Sequence, residues 1–258
     1  MTERGNNPYQ PGEPFWSRSN GSAHSSVVQR KTGDSHNGSS VDRPPLFSRL
    51  SQTDYSRVYA AARVKEFTRG DMLYIEGDNV QQVLLITSGF AKVTQLGLSG
   101  TEVILRFAVP GDVLGAGSLS STGRHSTTAQ AFRLCRALVW DAPTFKALMD
   151  CFPVLSQSMV HILVEDLLEL EERFREVATE RVGPRVARQL VRLLERIGRP
   201  VDGTVEIALS REELAQMTGT TLFTVSRLLS AWEARGIVRP RREGVTICDV
   251  GSLRAIYD

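Results

Sequence analysis

Between Thr221 and Ser230 the sequence places side chains suited to reading a nucleic acid: Thr221, Leu222, Phe223, Ser226, Arg227 and Ser230. An arginine can donate two parallel hydrogen bonds to guanine O6 and N7, and apolar side chains can meet the thymine methyl. Thr221 and Ser226 suit phosphate or base-edge hydrogen bonds. A few residues on, Arg239, Arg241 and Arg242 supply charge of the kind that holds phosphates, which positions a protein on DNA without specifying sequence.

These residues need a frame, and Ser210–Gly236 supplies one. Ser210 followed by Glu213 is a capping-box signature for a first short helix. Leu214, Ala215 and Met217 give that helix an apolar face, and Gly219 supplies the permissive backbone of a sharp turn. Thr220 and Thr221 offer a cap for a second helix, in which Val225, Leu228, Leu229 and Trp232 recur at helical spacing and must point inward. Small Ala215, Gly219, Val225 and Leu228 fall where a DNA-binding helix-turn-helix needs a close crossing, a turn and two locking aliphatics. The second helix, about Thr221–Arg235, is the reading helix. A plain helical hairpin would share these four positions, but the flanks favour more. Val205, Ile207 and Leu209 alternate as a strand, and two β-branched runs around Arg239–Gly244 read as a hairpin wing.

The net charge of +2 conceals an asymmetry. Arg181–Asp258 holds 13 Arg, no Lys and 9 acidic residues, while Leu155–Glu180 holds 7 acidic residues and 2 Arg. A basic C-terminal region suits phosphate binding. Cys135, Cys151 and Cys248 are scattered without metal-ligand spacing, and an odd count argues against a disulfide framework, so the thiols read as buried or inert in a reducing compartment. No nucleophile–base constellation, metal set or phosphate loop is present, which argues against an enzyme. No signal peptide is visible, and no apolar run approaches the ~18 residues of a membrane span; the expectation is a cytoplasmic protein.

Residues 1–45 are rich in Asn, Ser, Gly and Pro without apolar period and read as a disordered tail, its His24 and His36 too far apart to share a metal. Residues 46–150 read as mostly β, short strands punctuated by glycine turns, which predicts a small barrel or jelly roll with room for a ligand. Residues 151–180 predict one long helix in which Val160, Leu163, Leu167, Leu170, Phe174 and Val177 form a heptad seam that wants a partner helix. Val164 and Leu168 make a partial second stripe that could pack on the barrel. Gly183-Pro184 is a hinge candidate, and 181–258 forms the winged helix-turn-helix domain. The fold class is therefore α+β: a double-stranded β-helix or jelly-roll barrel, a dimerisation helix and a winged helix-turn-helix. A two-fold dimer matches helix-turn-helix half-sites.

This order of elements resembles the CRP/FNR family of bacterial transcription regulators, from about Leu46 to the C-terminus and most strongly over Leu209–Val238. The turns at Glu76-Gly77-Asp78, Ser88-Gly89 and Pro110-Gly111-Asp112 look like the family's cyclic-nucleotide-binding fold. The resemblance implies a homodimer on a near-palindromic operator in double-stranded DNA, acting on RNA polymerase. The family's reading helix often carries an Arg-Glu pair and then a second Arg. Here Leu222-Phe223 replaces the pair and Arg227 keeps the second place, so the operator should differ from the family's best-known one.

The resemblance also implies an effector pocket, at Gly115, Ala116, Gly117, Ser118, Arg124, His125, Ser126, Leu170 and Glu171. Members that bind cyclic AMP use a Glu where Ala116 stands, an Arg-Ser pair where His125-Ser126 stands, and a Thr-Ser pair where Leu170-Glu171 stands. Arg124 is adjacent, but if that segment is already strand a one-residue shift turns its side chain to the other face. Three departures in one pocket argue against cyclic AMP. An iron–sulfur cluster is rejected because no cysteine precedes Cys135. Haem through His125 or His161 is disfavoured, since a lone histidine is more often a surface or satisfied residue. The effector, if any, stays unknown. The competing function class is a ligand-binding or scaffold protein whose helix-turn-helix is only structural.

Overall fold

The computed structural model describes residues 43–120 and 123–258. The disordered tail expected over 1–45 lies almost wholly outside the described residues. The first described elements are a 3-10 turn at Pro45–Phe47 and a helix, α1 (Gln52–Ala60). That helix corrects the mostly-β reading of this stretch. Only Val58 is buried along it, so no apolar period announces it, although Ser51 caps it by accepting from the Asp54 amide.

The barrel strands follow: β1 (Arg63–Phe67), β2 (Met72–Tyr74), β3 (Gln82–Ser88), β4 (Ala91–Leu96), β5 (Glu102–Ala108), β6 (Val113–Leu114), β7 (Thr128–Ala131) and β8 (Cys135–Asp141). A short helix, α2 (Ala116–Ser120), separates β6 from β7. Two four-stranded sheets form, ordered β1-β8-β3-β6 and β2-β7-β4-β5, with every pairing antiparallel. The apolar run in β3 is explained by burial on both faces. Leu84 and Ile86 point between the sheets with Phe67, Ala129 and Val139, while Val83 and Leu85 point outward under helices. Trp140 lies in that outer cluster and donates from Nε1 to the Val58 carbonyl at 2.9 Å, so its buried N–H is satisfied.

The helices over the outer face are α3 (Ala142–Cys151) and α4 (Pro153–Thr179), which meet at 111°. No single described helix is long and apolar enough to cross a membrane. Helix α4 has the bounds its sequence pattern predicts, but its packing corrects one expectation. Val164 and Leu168 do not pack on the barrel; they are 47% and 58% exposed. Leu155, Ser158, Met159 and Ile162 make the barrel contact instead. The same side of the helix continues as Asp166, Glu169, Arg173 and Glu176, at alternating spacings of three and four. This charged continuation of an apolar stripe is invisible to a search for hydrophobic period.

Helix α5 (Val182–Ile197) begins the C-terminal domain. The break between α4 and α5 falls just before the Gly183-Pro184 hinge candidate. Glu180 and Arg181 are extended, with ψ of 150° and 156°, and Pro184 sits inside the first turn of α5, where a missing N–H costs no helix bond. A sheet ordered β11-β12-β10-β9 follows, built from β9 (Arg199–Val201), β10 (Thr204–Ile207), β11 (Val238–Arg241) and β12 (Gly244–Ile247). Between its halves lie α6 (Arg211–Thr218) and α7 (Leu222–Glu233), and α8 (Val250–Arg254) closes the domain.

Candidate nucleic-acid interface and sensor pocket

Helix α6 starts in a complete capping box. Ser210 Oγ accepts from the Glu213 amide at 3.1 Å, and Glu213 Oε2 accepts from the Ser210 amide at 2.8 Å. It ends at Gly219, whose φ of 58° and ψ of 44° put it in the left-handed region that a side chain would strain. Thr221 caps α7 by accepting from the Thr224 amide at 3.2 Å, and its hydroxyl also lies 3.0 Å from that of Thr224. Val225, Leu229 and Trp232 are buried, and Leu228 is half-buried.

The corner between the helices has a further support, Arg185 on α5. Its guanidinium Nε donates to the Thr218 carbonyl at 2.7 Å, Nη2 to the Gly219 carbonyl at 3.4 Å, and Nη1 to the Val177 and Glu180 carbonyls at 3.4 Å each. One buried side chain thus satisfies orphan carbonyls at the end of α6 and at the end of α4. Sequence reasoning missed it, because its main partner is 33 residues away and an arginine in a basic helix carries no local signal.

On the solvent side of α7, Leu222 is 43% and Phe223 is 83% exposed. Thr221, Arg227 and Ser230 are exposed and Ser226 is half-buried. The wing is tighter than the predicted Arg239–Gly244 turn: Arg239 and Arg241 belong to β11, Arg241 pairs with Gly244, and Arg242-Glu243 forms the turn. All three wing arginines are exposed, and Arg241 makes an ion pair with Glu206 at 3.2 Å.

In the barrel, β6 delivers Gly115, with φ of +86°. A side chain there would place Cβ 2.8 Å from the Gln82 carbonyl and 3.4 Å from His125 Cε1. Ala116 is buried, and Gly117 faces Leu163 of α4 at 3.4 Å from its Cβ position. His125 is buried and stacks on Tyr74, ring centroids 3.9 Å apart and planes 8° apart. Its Nδ1 has no hydrogen-bond partner among the described residues. Burial holds this imidazole below its ordinary pKa, against the Asp78 carboxylate, which pulls it up. Burial likewise pushes the Tyr74 phenol up, opposed by its hydrogen bond with Thr127. A cavity of about 480 Å³ opens beside this pair, lined also by Lys65, Asp78, Asn79 and Gln82.

The structure gathers Gly115 and His125 in one place and leaves other expected pocket residues elsewhere. Arg124 is exposed and donates to the Gly77 carbonyl at 2.8 Å; its segment is not yet strand, only an isolated bridge to Asn79. Ser126 is exposed. Leu170 and Glu171 lie on exposed α4 surface and do not line the cavity. His161 is exposed and pairs with Glu165 at 3.3 Å. Of the thiols only Cys135 is buried, its pKa pushed up to about 11 by burial; Cys151 and Cys248 are free and exposed.

A winged helix-turn-helix with a capped, exposed reading helix, joined by a long helix to a jelly-roll barrel, defines a DNA-binding transcription regulator with a sensor domain. Comparison with known proteins agrees. Residues 64–151 match the cyclic nucleotide-binding domain model and residues 184–256 the Crp-like helix-turn-helix domain model. The chain is 27% identical over 186 residues to a CRP-like cAMP-activated global transcriptional regulator of Mycobacterium tuberculosis, covering 71% of this chain and 83% of that one. It is 27% identical over 195 residues to the cyclic AMP receptor protein of Thermus thermophilus, covering 76% and 88%. The structure of FixK2 from Bradyrhizobium japonicum shares the fold, with a TM-score of 0.67 at 22% identity over 76% of this chain and 98% of that one. The chain belongs to the CRP/FNR family of transcription regulators.

Proposed function

We propose that the chain acts as a homodimer on a near-palindromic operator, with one α7 in the major groove of each half-site. The domains are then a tail at 1–45, a sensor barrel at 46–150, a dimerisation helix at 151–180 and a DNA-binding domain at 181–258. The observation that carries this reading is the division of α7 into a buried locking face and an exposed face of Thr221, Leu222, Phe223, Ser226, Arg227 and Ser230. Arg227 contacts guanine, and Leu222 and Phe223 meet thymine methyls. Arg239, Arg241 and Arg242 hold phosphates, Arg241 exchanging Glu206 for DNA.

The seam of α4 supports the dimer. Val160, Leu163, Leu167, Leu170, Phe174 and Val177 are each between 42% and 73% exposed. An apolar stripe this long on one helix marks an association surface. The effector is not cyclic AMP: Ala116 and His125 present neither a carboxylate for a ribose hydroxyl nor a fixed cation for a phosphate. The protein works in the cytoplasm, acts on RNA polymerase and catalyses no reaction.

The test is selection from a randomised DNA pool by purified protein, with and without cyclic AMP, alongside sedimentation of the free protein. A two-fold symmetric site recovered without ligand is expected. Recovery only with cyclic AMP would overturn the pocket reading. Failure to select any site would favour a scaffold role for the helix-turn-helix. Leu167→Glu, which buries a charge in the seam, should leave a monomer that no longer selects a symmetric site.

A further inference from the structure

The outer face of β5 does not end in solvent. Ile104 and Phe107, each 1% exposed, pack into the apolar cluster of the DNA-binding domain and not into the barrel interior. A bulge sets this up. The β4–β5 register passes from Val93–Arg106 to Thr94–Ile104, and the extra residue brings 104 and 107 to one side. Phe107 is steadied by Phe90 and Phe132, with ring centroids 5.9 and 5.2 Å away. The carbonyl of the extra residue, Leu105, accepts from Arg173 of α4.

Beside this patch lies a charge cluster drawn from both domains. Asp112, buried, pairs with Arg106 of β5 at 3.1 Å and with Arg196 of α5 at 3.6 Å. Arg106 also pairs with Asp166 of α4 at 3.5 Å, and Arg196 with Glu169 of α4 at 3.2 Å. Further along α4, Glu176 pairs with Arg192 and, at 3.5 Å, with Arg188, both on α5. One end of the cluster reaches the sensor pocket. Asp112 immediately precedes the two-residue strand β6, and Gly115 follows it against His125 and Gln82.

We propose that the Asp112–Arg196 pair is a coupler that passes rearrangement of the pocket segment Gly115–Ser118 to the DNA-binding domain, by holding that domain against β5 or releasing it. The proposal rests on the reading of this chain as a two-domain DNA-binding regulator. Only the two-residue strand β6, paired with β3 at Leu84 and Leu85, separates the Asp112 carboxylate from Gly115, so both hang on one short support. Packed interfaces of this kind respond by switching between two arrangements and not by continuous deformation. Docking against β5 leaves the exposed face of α7 in solvent, so release changes the orientation of the reading helix, not its accessibility. Half-sites demand one separation of the two helices, about 34–36 Å. The docked domain is pre-oriented, and a released one loses orientational freedom on binding.

The test compares Arg196→Gln, Asp112→Asn and the double variant with the unmodified protein, in the absence of added ligand. Two quantities are read: the rate of tryptic cleavage after Arg181, in the extended connector, and the affinity for the operator selected above. Each single variant is expected to raise the cleavage rate and weaken operator binding by about 5–10-fold, with the base preference unchanged. Each variant also loses a second partner, Glu169 for Arg196 and Arg106 for Asp112, so the double variant should exceed either single one but fall short of the sum of the two. A cleavage rate at the wild-type value in the single variants, or simple additivity in the double variant, overturns the coupler. If the unmodified protein binds no DNA, the regulator reading fails on its own while the cleavage arm still decides the coupler.

Discussion

Replacing Arg185 by Met tests whether the helix-turn-helix corner is held from behind. Met keeps apolar volume in the slot between α5 and the corner but removes every donor. The Thr218 carbonyl loses a charged partner at 2.7 Å, and the Gly219 carbonyl loses one at 3.4 Å. A hydrogen bond to a charged group contributes about 1.5–3 kcal/mol, and a buried acceptor left unpaired costs about 1–3 kcal/mol. The solvation of the freed Arg in the unfolded chain offsets part of this, and the 3.4 Å contacts are weak. The expected loss is therefore about 2 kcal/mol, or roughly 30-fold in an opening equilibrium. The assay is amide hydrogen exchange, read at the α6 and α7 amides and, as an internal control, at those of β3 and β8. The prediction is a loss of protection confined to the C-terminal domain. A change below about 0.5 kcal/mol, the scale of an ordinary surface substitution, would show that Arg185 is a bystander.

Other outcomes follow from single sites. Gly219→Val should lower the thermal midpoint through a cost of about 1–2 kcal/mol for left-handed backbone, while Gly219→Asn should cost much less; equal effects would dismiss the backbone explanation. Arg227→Ala should cost roughly 1–3 kcal/mol of operator binding and relax preference at one base pair, whereas Arg242→Ala should weaken all sequences alike and reduce the salt slope by about 1. Burial holds the His125 pKa in the folded protein below the unfolded value near 6.5. The unfolded chain therefore binds more protons as pH falls through that value, so stability is full above it and declines below it. His125→Phe should flatten the dependence of the thermal midpoint between about pH 7 and 5; an unchanged slope would assign it to other groups.

Much of the architecture was legible because it is local. The box of Ser210 and Glu213, the Gly219 corner, the Thr221 cap and the period of Val225, Leu229 and Trp232 are all encoded within a few residues of where they act. The long helix was equally plain, since its exposed seam repeats from Val160 to Val177 within its 27 residues. Helix α1 was not legible, because a helix burying one residue leaves no period. Of the residues expected in the effector pocket, Gly115 and His125 lie side by side. Leu170 and Glu171 stay apart from the cavity, because a residue's place on α4 says which face it takes and not how far along the barrel that face reaches.

The sequence by itself determined the long helix, the capped helix-turn-helix, the exposed face of α7 and the resemblance to the family. Tertiary structure alone decided what the charged stripe of α4 does, why β5 buries Ile104 and Phe107 outside its own barrel, and which arginine holds the corner. Periodicity reports whether a side chain faces inward along one element. It carries no information about which distant element brings the complementary charge, and Asp112, Arg185 and Arg196 acquire their partners only when the chain has folded.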